Sequence, residues 1–246
     1  MIDPITLIEL TNLKASGKLE ELAKHPQLGM KPEWMGELAK SKHWHVRYYL
    51  AQNPAIASCP KSVKKLANDH DSWVKQTLAE NPSLINHPNG IKKLSEDQDH
   101  YVRSALAANG VLAQNPAIAA ELAADQSSSV RQALAVNPAI VNFPDVLKTL
   151  SEDQDHYVRS ALAENPSLAE FPTIAAKLST DEDWFVRRNV AENPAIASSP
   201  EAIQTLSGDS VRAVSEALAL NPAIPSRTAS TNPWQTTQPA TQVPAV

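Results

Sequence analysis

The chain has 246 residues, a net charge of -5 and a hydrophobic fraction of 42%, and no apolar run approaches the roughly 18 residues of a membrane-spanning helix. The excess of acidic residues argues against a sequence-independent attraction to nucleic acid or anionic membranes. Six glycines leave no room for a glycine-rich phosphate loop, the single Cys59 excludes an internal disulfide, and residues 1–10 lack the features of a secretory signal. We therefore expect a cytoplasmic protein that does not enter a membrane.

A period of 28 residues runs through the chain and decides its fold. Each unit has a proline, a leucine six residues later followed by Ala, Ser or Thr, and an alanine further along. An Asn-Pro step follows in most units, and a Leu or Ile stands two residues after it. The prolines that open the eight units are Pro4, Pro32, Pro60, Pro88, Pro116, Pro144, Pro172 and Pro200.

Within each unit we predict two short helices. The first opens at the proline, whose missing N–H is not needed there, and its apolar residues, such as Val63 and Leu66, have helical spacing. The second begins near acidic residues such as Asp99, which can cap free N–H groups, and buries residues such as Leu106. It must end at the asparagine of the Asn-Pro step, because proline disfavours helical torsions in the residue before it.

A helix pair this short cannot bury its apolar residues alone, so neighbouring units must stack around a continuous core. We predict an all-α fold, a right-handed α-α solenoid of eight 28-residue helix-pair repeats, over residues 1–227. Residues 228–246 are rich in Pro, Thr and Gln, so we expect a disordered tail. Thr228 and Trp234 replace the proline and leucine of a further unit; the last pair should then expose an apolar face, and Trp234 is a candidate for a partial cap.

The pattern D-x-D-x-x-V-R-x-x-L-A-x-N-P, clearest over residues 153–166 and 181–194, resembles the leucine-rich repeat variant family within the armadillo/HEAT-like superfamily. The resemblance implies the solenoid fold and says little about function, since this superfamily contains adaptors, transport factors and some DNA-repair enzymes. The repeat is longer than is usual in the variant family. The cysteine cluster that holds an iron–sulfur centre in one member has no counterpart, because Cys59 alone cannot ligate a cluster. We expect no cofactor.

Acidic and basic residues recur six positions apart in the middle units. The resemblance to HEAT repeats implies that they form a polar ladder between adjacent units, and the alternative is a row of arginines that binds phosphates. The pairs are Asp69 with Lys75, Asp97 with Arg103, Asp125 with Arg131, Asp153 with Arg159, and Asp181 with Arg187.

Lysines form one candidate binding surface for an acidic partner. They lie on the first helices of two consecutive units, the helices that usually line the concave side in this superfamily, and the alternative is an ordinary solvated surface. These lysines are Lys61, Lys64, Lys65, Lys92 and Lys93.

Aromatic residues just before the valine of the second helix form another candidate. They recur at one point of the period and would lie in a row that can stack on prolines or bases. The alternative is that they seal the seam between successive units. The row comprises Trp44, Trp73, Tyr101, Tyr157 and Trp184, with Phe185 beside the last.

Histidines do not predict a metal site. His100 and His156 lie two units apart, about 20 Å at the usual helix spacing, whereas ligands of one metal are a few ångströms apart. His43 and His45 are two residues apart on a predicted helix, so we expect their side chains to point in different directions.

No HExxH, G-x-S-x-G or Cys-His arrangement occurs, and residues 94–107 and 150–163 are identical, whereas an active site is normally unique. We therefore predict a monomeric, non-enzymatic scaffold that binds a protein or peptide along its concave helix surface. The alternative is a nucleic-acid-binding or DNA-repair protein that resembles the HEAT-like alkylpurine glycosylases. Those enzymes cradle DNA on a strongly basic surface, which the net charge of -5 does not favour.

Overall fold

The structure is a computed structural model that describes residues 4–224, with side chains from residue 8 onward. All regular structure in this part of the chain is helical, and the predicted all-α solenoid is confirmed. The 227/228 boundary, the tail and the capping role of Trp234 lie outside the described residues.

Every first helix begins at the recurring proline, at the position where a missing N–H costs no hydrogen bond. With labels that run in chain order, the first helices are α1 (Pro4–Ala15), α3 (Pro32–Leu38), α5 (Pro60–Leu66), α7 (Pro88–Ser95), α9 (Pro116–Ala123), α11 (Pro144–Ser151), α13 (Pro172–Leu178) and α15 (Pro200–Ser207).

The second helices of most units begin directly after a polar residue, and in four of them an aspartate side chain accepts from backbone N–H groups of the first turn. They are α2 (Leu19–Lys24), α4 (Trp44–Gln52), α6 (Ser72–Glu80), α8 (His100–Ala107), α10 (Ser128–Ala135), α12 (His156–Ala163), α14 (Trp184–Glu192) and α16 (Arg212–Leu220).

In seven of the described units a third element, a 3-10 helix of five residues, begins directly after the asparagine of the Asn-Pro step or its variant, so the expectation of only two helices in a unit was incomplete. Its single turn contains the recurring Leu or Ile, which is fully buried; Ile56 and Leu84 are examples. The 3-10 helices are η1 (Pro26–Met30), η2 (Pro54–Ser58), η3 (Pro82–Asn86), η4 (Gly110–Gln114), η5 (Pro138–Asn142), η6 (Pro166–Glu170) and η7 (Pro194–Ser198).

One core runs through all the described units, because the second helices and the 3-10 helices pack mainly on their counterparts in adjacent units. The leucine six residues after each proline is almost fully buried in every unit, from Leu10 to Leu206. At the last described unit this cover ends, because Ala219 is exposed whereas its counterparts in the earlier units, such as Ala191, are fully buried. The core therefore depends on contacts between neighbouring units, as expected for a solenoid.

The asparagine of the Asn-Pro step ties each unit to the one before it. Asn137, which is buried, accepts a hydrogen bond from the Ala139 N–H at 2.9 Å and donates to the carbonyls of Ala107 and Asn109 at 2.8 and 3.0 Å. The same donation to the alanine 30 residues earlier occurs at every Asn in this position at 2.7–2.8 Å. The asparagine side chain thus caps the turn after the second helix and also bonds this turn to the preceding unit.

Replacing Asn137 with Ala is expected to lower the free energy of unfolding by about 1–3 kcal/mol, because buried carbonyl groups lose their donor. Urea denaturation followed by circular dichroism measures this change. Asn142→Ala, at an exposed asparagine that ends η5, is the control and should leave the midpoint unchanged. Equal effects of the two substitutions would contradict the structural role of Asn137.

Candidate binding surfaces

The acid-base ladder joins consecutive units, but its pairs differ from those predicted. Each basic side chain binds the carboxylate 22 residues later, in the next unit, and not the one six residues earlier. Arg131, for example, donates from Nε to Asp153 Oδ2 at 2.5 Å and from Nη1 to the carbonyl of Asp125 in its own unit at 2.7 Å. The six pairs in the described chain are Arg47–Asp69, Lys75–Asp97, Arg103–Asp125, Arg131–Asp153, Arg159–Asp181 and Arg187–Asp209.

In the Arg103–Asp125 and Arg187–Asp209 pairs, mutual hydrogen bonding raises the pKa of the arginine and favours the charged form of the aspartate. The hydrogen bond from Arg187 lowers the pKa of the Asp209 carboxyl, against the opposing effect of burial. Burial raises the pKa of Asp125, but the hydrogen bonds from Arg103 and the Ser127 N–H outweigh it, so this pKa also lies below its ordinary value. Since these arginines are nearly buried and bound to carboxylates, they are not available to hold phosphates. The charged residues therefore form a polar ladder between adjacent units.

The structure separates the predicted lysines into three that line a groove and two that lie outside it. A groove of about 570 Å³ lies between α5 and α7, and Val63, Ala67, Pro88 and Gly90 are among its apolar lining. Gly90 is required where the two helices approach, since a Cβ there would lie 2.8 Å from Val63 Cγ1. Of the predicted lysines, those in the groove are Lys61, Lys64 and Lys93, and no acidic residue lines it.

Lys92 and Lys65 do not line the groove. Lys92 lies one unit after Lys64 in the repeat, but its Nζ donates to Glu121 at 2.9 Å and pairs with Glu96 at 3.2 Å. The hydrogen bond to Glu121 raises the pKa of Lys92. Lys65 is exposed on the same helix as Lys64, outside the groove. The five predicted lysines are therefore divided between the groove and the surface outside it, because α5 and α7 face each other with opposite sides.

The predicted aromatic row lies at the N-terminal ends of five second helices. Its five residues are 44–64% exposed, so much of each side chain is accessible to a partner. Their ring contacts are with neighbours in their own unit, such as Trp44 with Tyr48 at 6.1 Å and Tyr157 with His156 at 4.1 Å. Phe185 is half-buried next to Trp184.

The side chains of His43 and His45 lie closer together than expected. The reason is that α4 begins at Trp44, and His43 is the N-cap residue of this helix with an extended backbone. Their rings stack with centroids 5.8 Å apart, which contradicts the prediction that they point in different directions. Among the described residues, no three His, Cys, Asp or Glu side chains form a group that could hold a metal ion.

No helix in residues 4–224 has the length and hydropathy needed to cross a membrane.

Comparisons with known proteins bear on the fold. No family model and no curated protein matches the chain. Among solved structures, one described as a leucine-rich repeat variant with a novel repetitive protein structural motif matches over 76% of this chain and 70% of that chain. The two are 22% identical, with a TM-score of 0.50. The resemblance predicted from the repeat pattern is thus confirmed at the level of architecture: this chain has the fold of a leucine-rich repeat variant.

Proposed function

We propose that the protein is a non-enzymatic scaffold that binds a protein or peptide segment in the groove between α5 and α7. The observation that carries this proposal is that Lys61, Lys64 and Lys93 border an apolar groove without a carboxylate in ion-pairing distance in the described chain. The groove volume of about 570 Å³ is within the usual range of ligand sites. We therefore expect a segment that combines acidic and apolar side chains.

The next interface of the solenoid supports this choice of partner. Lys92 and Glu121 form an ion pair between α7 and α9, whereas the same two repeat positions one unit earlier hold Lys64 and Lys93. Two positive charges, Lys64 and Lys93, therefore border the groove between α5 and α7. At the corresponding place between α7 and α9, a lysine and a glutamate form an ion pair. Like charges disfavour each other, and a carboxylate from a partner would compensate both.

The nucleic-acid alternative has less support, because the ladder binds its arginines to aspartates and the groove supplies only three unpaired lysines. Binding along the concave side, a monomeric state and a cytoplasmic location remain predictions from the sequence.

Selection from a library of random displayed peptides on the intact protein tests the proposal. Enriched peptides are expected to contain Asp or Glu beside apolar residues. Lys93→Glu, which recreates the Lys92–Glu121 arrangement between α5 and α7, should weaken their binding by about tenfold or more and keep the helical content unchanged. Fluorescence anisotropy gives the dissociation constants.

Lys65→Glu is the matched control, because it makes the same charge reversal on α5 outside the groove. Its effect on the enriched peptides should be small. If both substitutions weaken binding equally, or if the enriched peptides are basic, the proposed groove is wrong.

A further inference from the structure

The exposed aromatic side chains form a second surface, unrelated to the groove, which we name the aromatic ridge. It accounts for five of the ten large apolar side chains that the described surface exposes. Trp73, Tyr101 and Tyr157 share one repeat position, and Trp44 and Trp184 stand one position earlier in their units. Exposed rings that do not contribute to the core, gathered at two adjacent repeat positions, are typical of an interaction surface. The ridge consists of Trp44, Trp73, Tyr101, Tyr157 and Trp184.

Aspartates lie alongside most of these rings at fixed positions. Asp71, Asp99 and Asp155 each occupy the N-cap two residues before a ridge ring, and Oδ1 accepts the N–H of that ring residue at 2.9 Å. Asp183 directly precedes Trp184 and accepts from the Phe185 N–H at 2.8 Å. The aspartates therefore cannot turn away from the ridge without losing a helix cap.

Two of these carboxylates are stabilised in the charged form beside the rings. Hydrogen bonds from the Ser72 side chain and the Tyr101 N–H lower the pKa of Asp99, and the Tyr157 N–H does the same for Asp155. No Lys or Arg occurs in residues 70–73, 98–101, 154–157 or 182–185, the four segments that carry these aspartates. The ridge is thus both aromatic and acidic at Trp73, Tyr101, Tyr157 and Trp184.

Neighbouring units bring their parts of the ridge together. His156 Nε2 lies 3.9 Å from Asp183 Oδ2 of the next unit, and the Ser72 side chain reaches Asp99 in the same way. Packed helices are about 8–10 Å apart, and an extended chain rises about 3.3 Å per residue, so about three residues of a partner span one unit. The row is interrupted at Ser129, which stands in the place of the ring in the fifth unit.

We propose that the aromatic ridge binds an extended protein segment with Arg or Lys at about every third residue. Cations bind over the faces of Trp and Tyr rings, and the aspartates beside Trp73, Tyr101, Tyr157 and Trp184 add an opposite charge there. The same carboxylates repel phosphates, so a nucleic acid that stacks its bases on the rings is disfavoured.

A fluorescent peptide of three Arg-Gly-Ser repeats is a direct probe, with the Asp-Gly-Ser peptide as its charge-reversed counterpart. The intact protein should bind the Arg peptide more tightly than the Asp peptide or a single-stranded oligonucleotide of equal length. Trp73→Ser with Tyr101→Ser should weaken Arg-peptide binding by about tenfold, since two ring contacts are lost. Serine at Ser129 shows that the fold accommodates this change.

Ile85→Ser with Val136→Ser, at two exposed apolar residues outside the ridge, is the control and should not change the affinity. Lys93→Glu in the groove should likewise leave Arg-peptide binding intact, so failure of one surface is distinguishable from failure of the other. Preferential binding of the Asp peptide or the oligonucleotide would overturn the proposal. So would an affinity for the Arg peptide that survives loss of both rings.

Discussion

Replacing Arg131 with methionine is expected to lower the free energy of unfolding by about 3–5 kcal/mol. Methionine keeps much of the side-chain volume but removes the guanidinium donors to Asp153 and to the Asp125 carbonyl. Asp153 then remains nearly buried as a carboxylate without its cation, which costs more than the ion pair itself contributes. Denaturant unfolding monitored by circular dichroism measures the loss.

Two further variants separate this mechanism from a general effect of losing an arginine. Arg212→Met breaks an exposed pair with Glu216 within one helix and should change stability by no more than about 0.5 kcal/mol. Adding Asp153→Asn to Arg131→Met should recover part of the loss, because a neutral amide is less costly to bury than a carboxylate. If Arg131→Met were as stable as Arg212→Met, the ion pairs between units would not stabilise the stack.

Replacing Leu122 with alanine should destabilise the protein by about 2–5 kcal/mol, as expected for a buried leucine that leaves a cavity. Leu122 is 1% exposed and lies on α9, near the middle of the described units. Because each unit contacts mainly its neighbours, weakening this one should also reduce the cooperativity between the two halves. The expected signature is a lower urea midpoint together with a shallower transition.

Leu220→Ala is the matched control, since this leucine is 82% exposed at the last described helix. It should leave both the midpoint and the slope nearly unchanged. A loss below about 0.5 kcal/mol for Leu122→Ala would place that residue outside the core and contradict the buried face assigned to the first helices.

Each interior interface combines an apolar core with two polar rows, the asparagine bonds and the charged ladder. Asn165 and Arg159, for example, act in the same unit but bond in opposite directions, to Ala135 of the preceding unit and to Asp181 of the next. Each unit is thereby held on both sides by buried polar bonds, which fix its register relative to its neighbours more specifically than apolar contacts alone.

The sequence by itself determined the repeat length, the starts of the first helices and the buried leucines. These follow from local rules: proline is favoured at the first helical turn, a residue before proline leaves the helix, and apolar spacing marks a buried face. The sequence also provided candidate binding residues, among them Lys64 and Tyr101, whose role stays a prediction.

Only the tertiary structure decided which partner each recurring residue meets. Arg131 stands six residues from Asp125 along the chain, yet its side chain reaches Asp153, because the stack brings the next unit's loop against it. Lys64 and Lys92 share a repeat position, but one faces a groove and the other Glu121. A period defines positions within a unit, whereas the contacts between units depend on how the helices stack, and in this solenoid those contacts determine which side chains are paired and which remain free to bind.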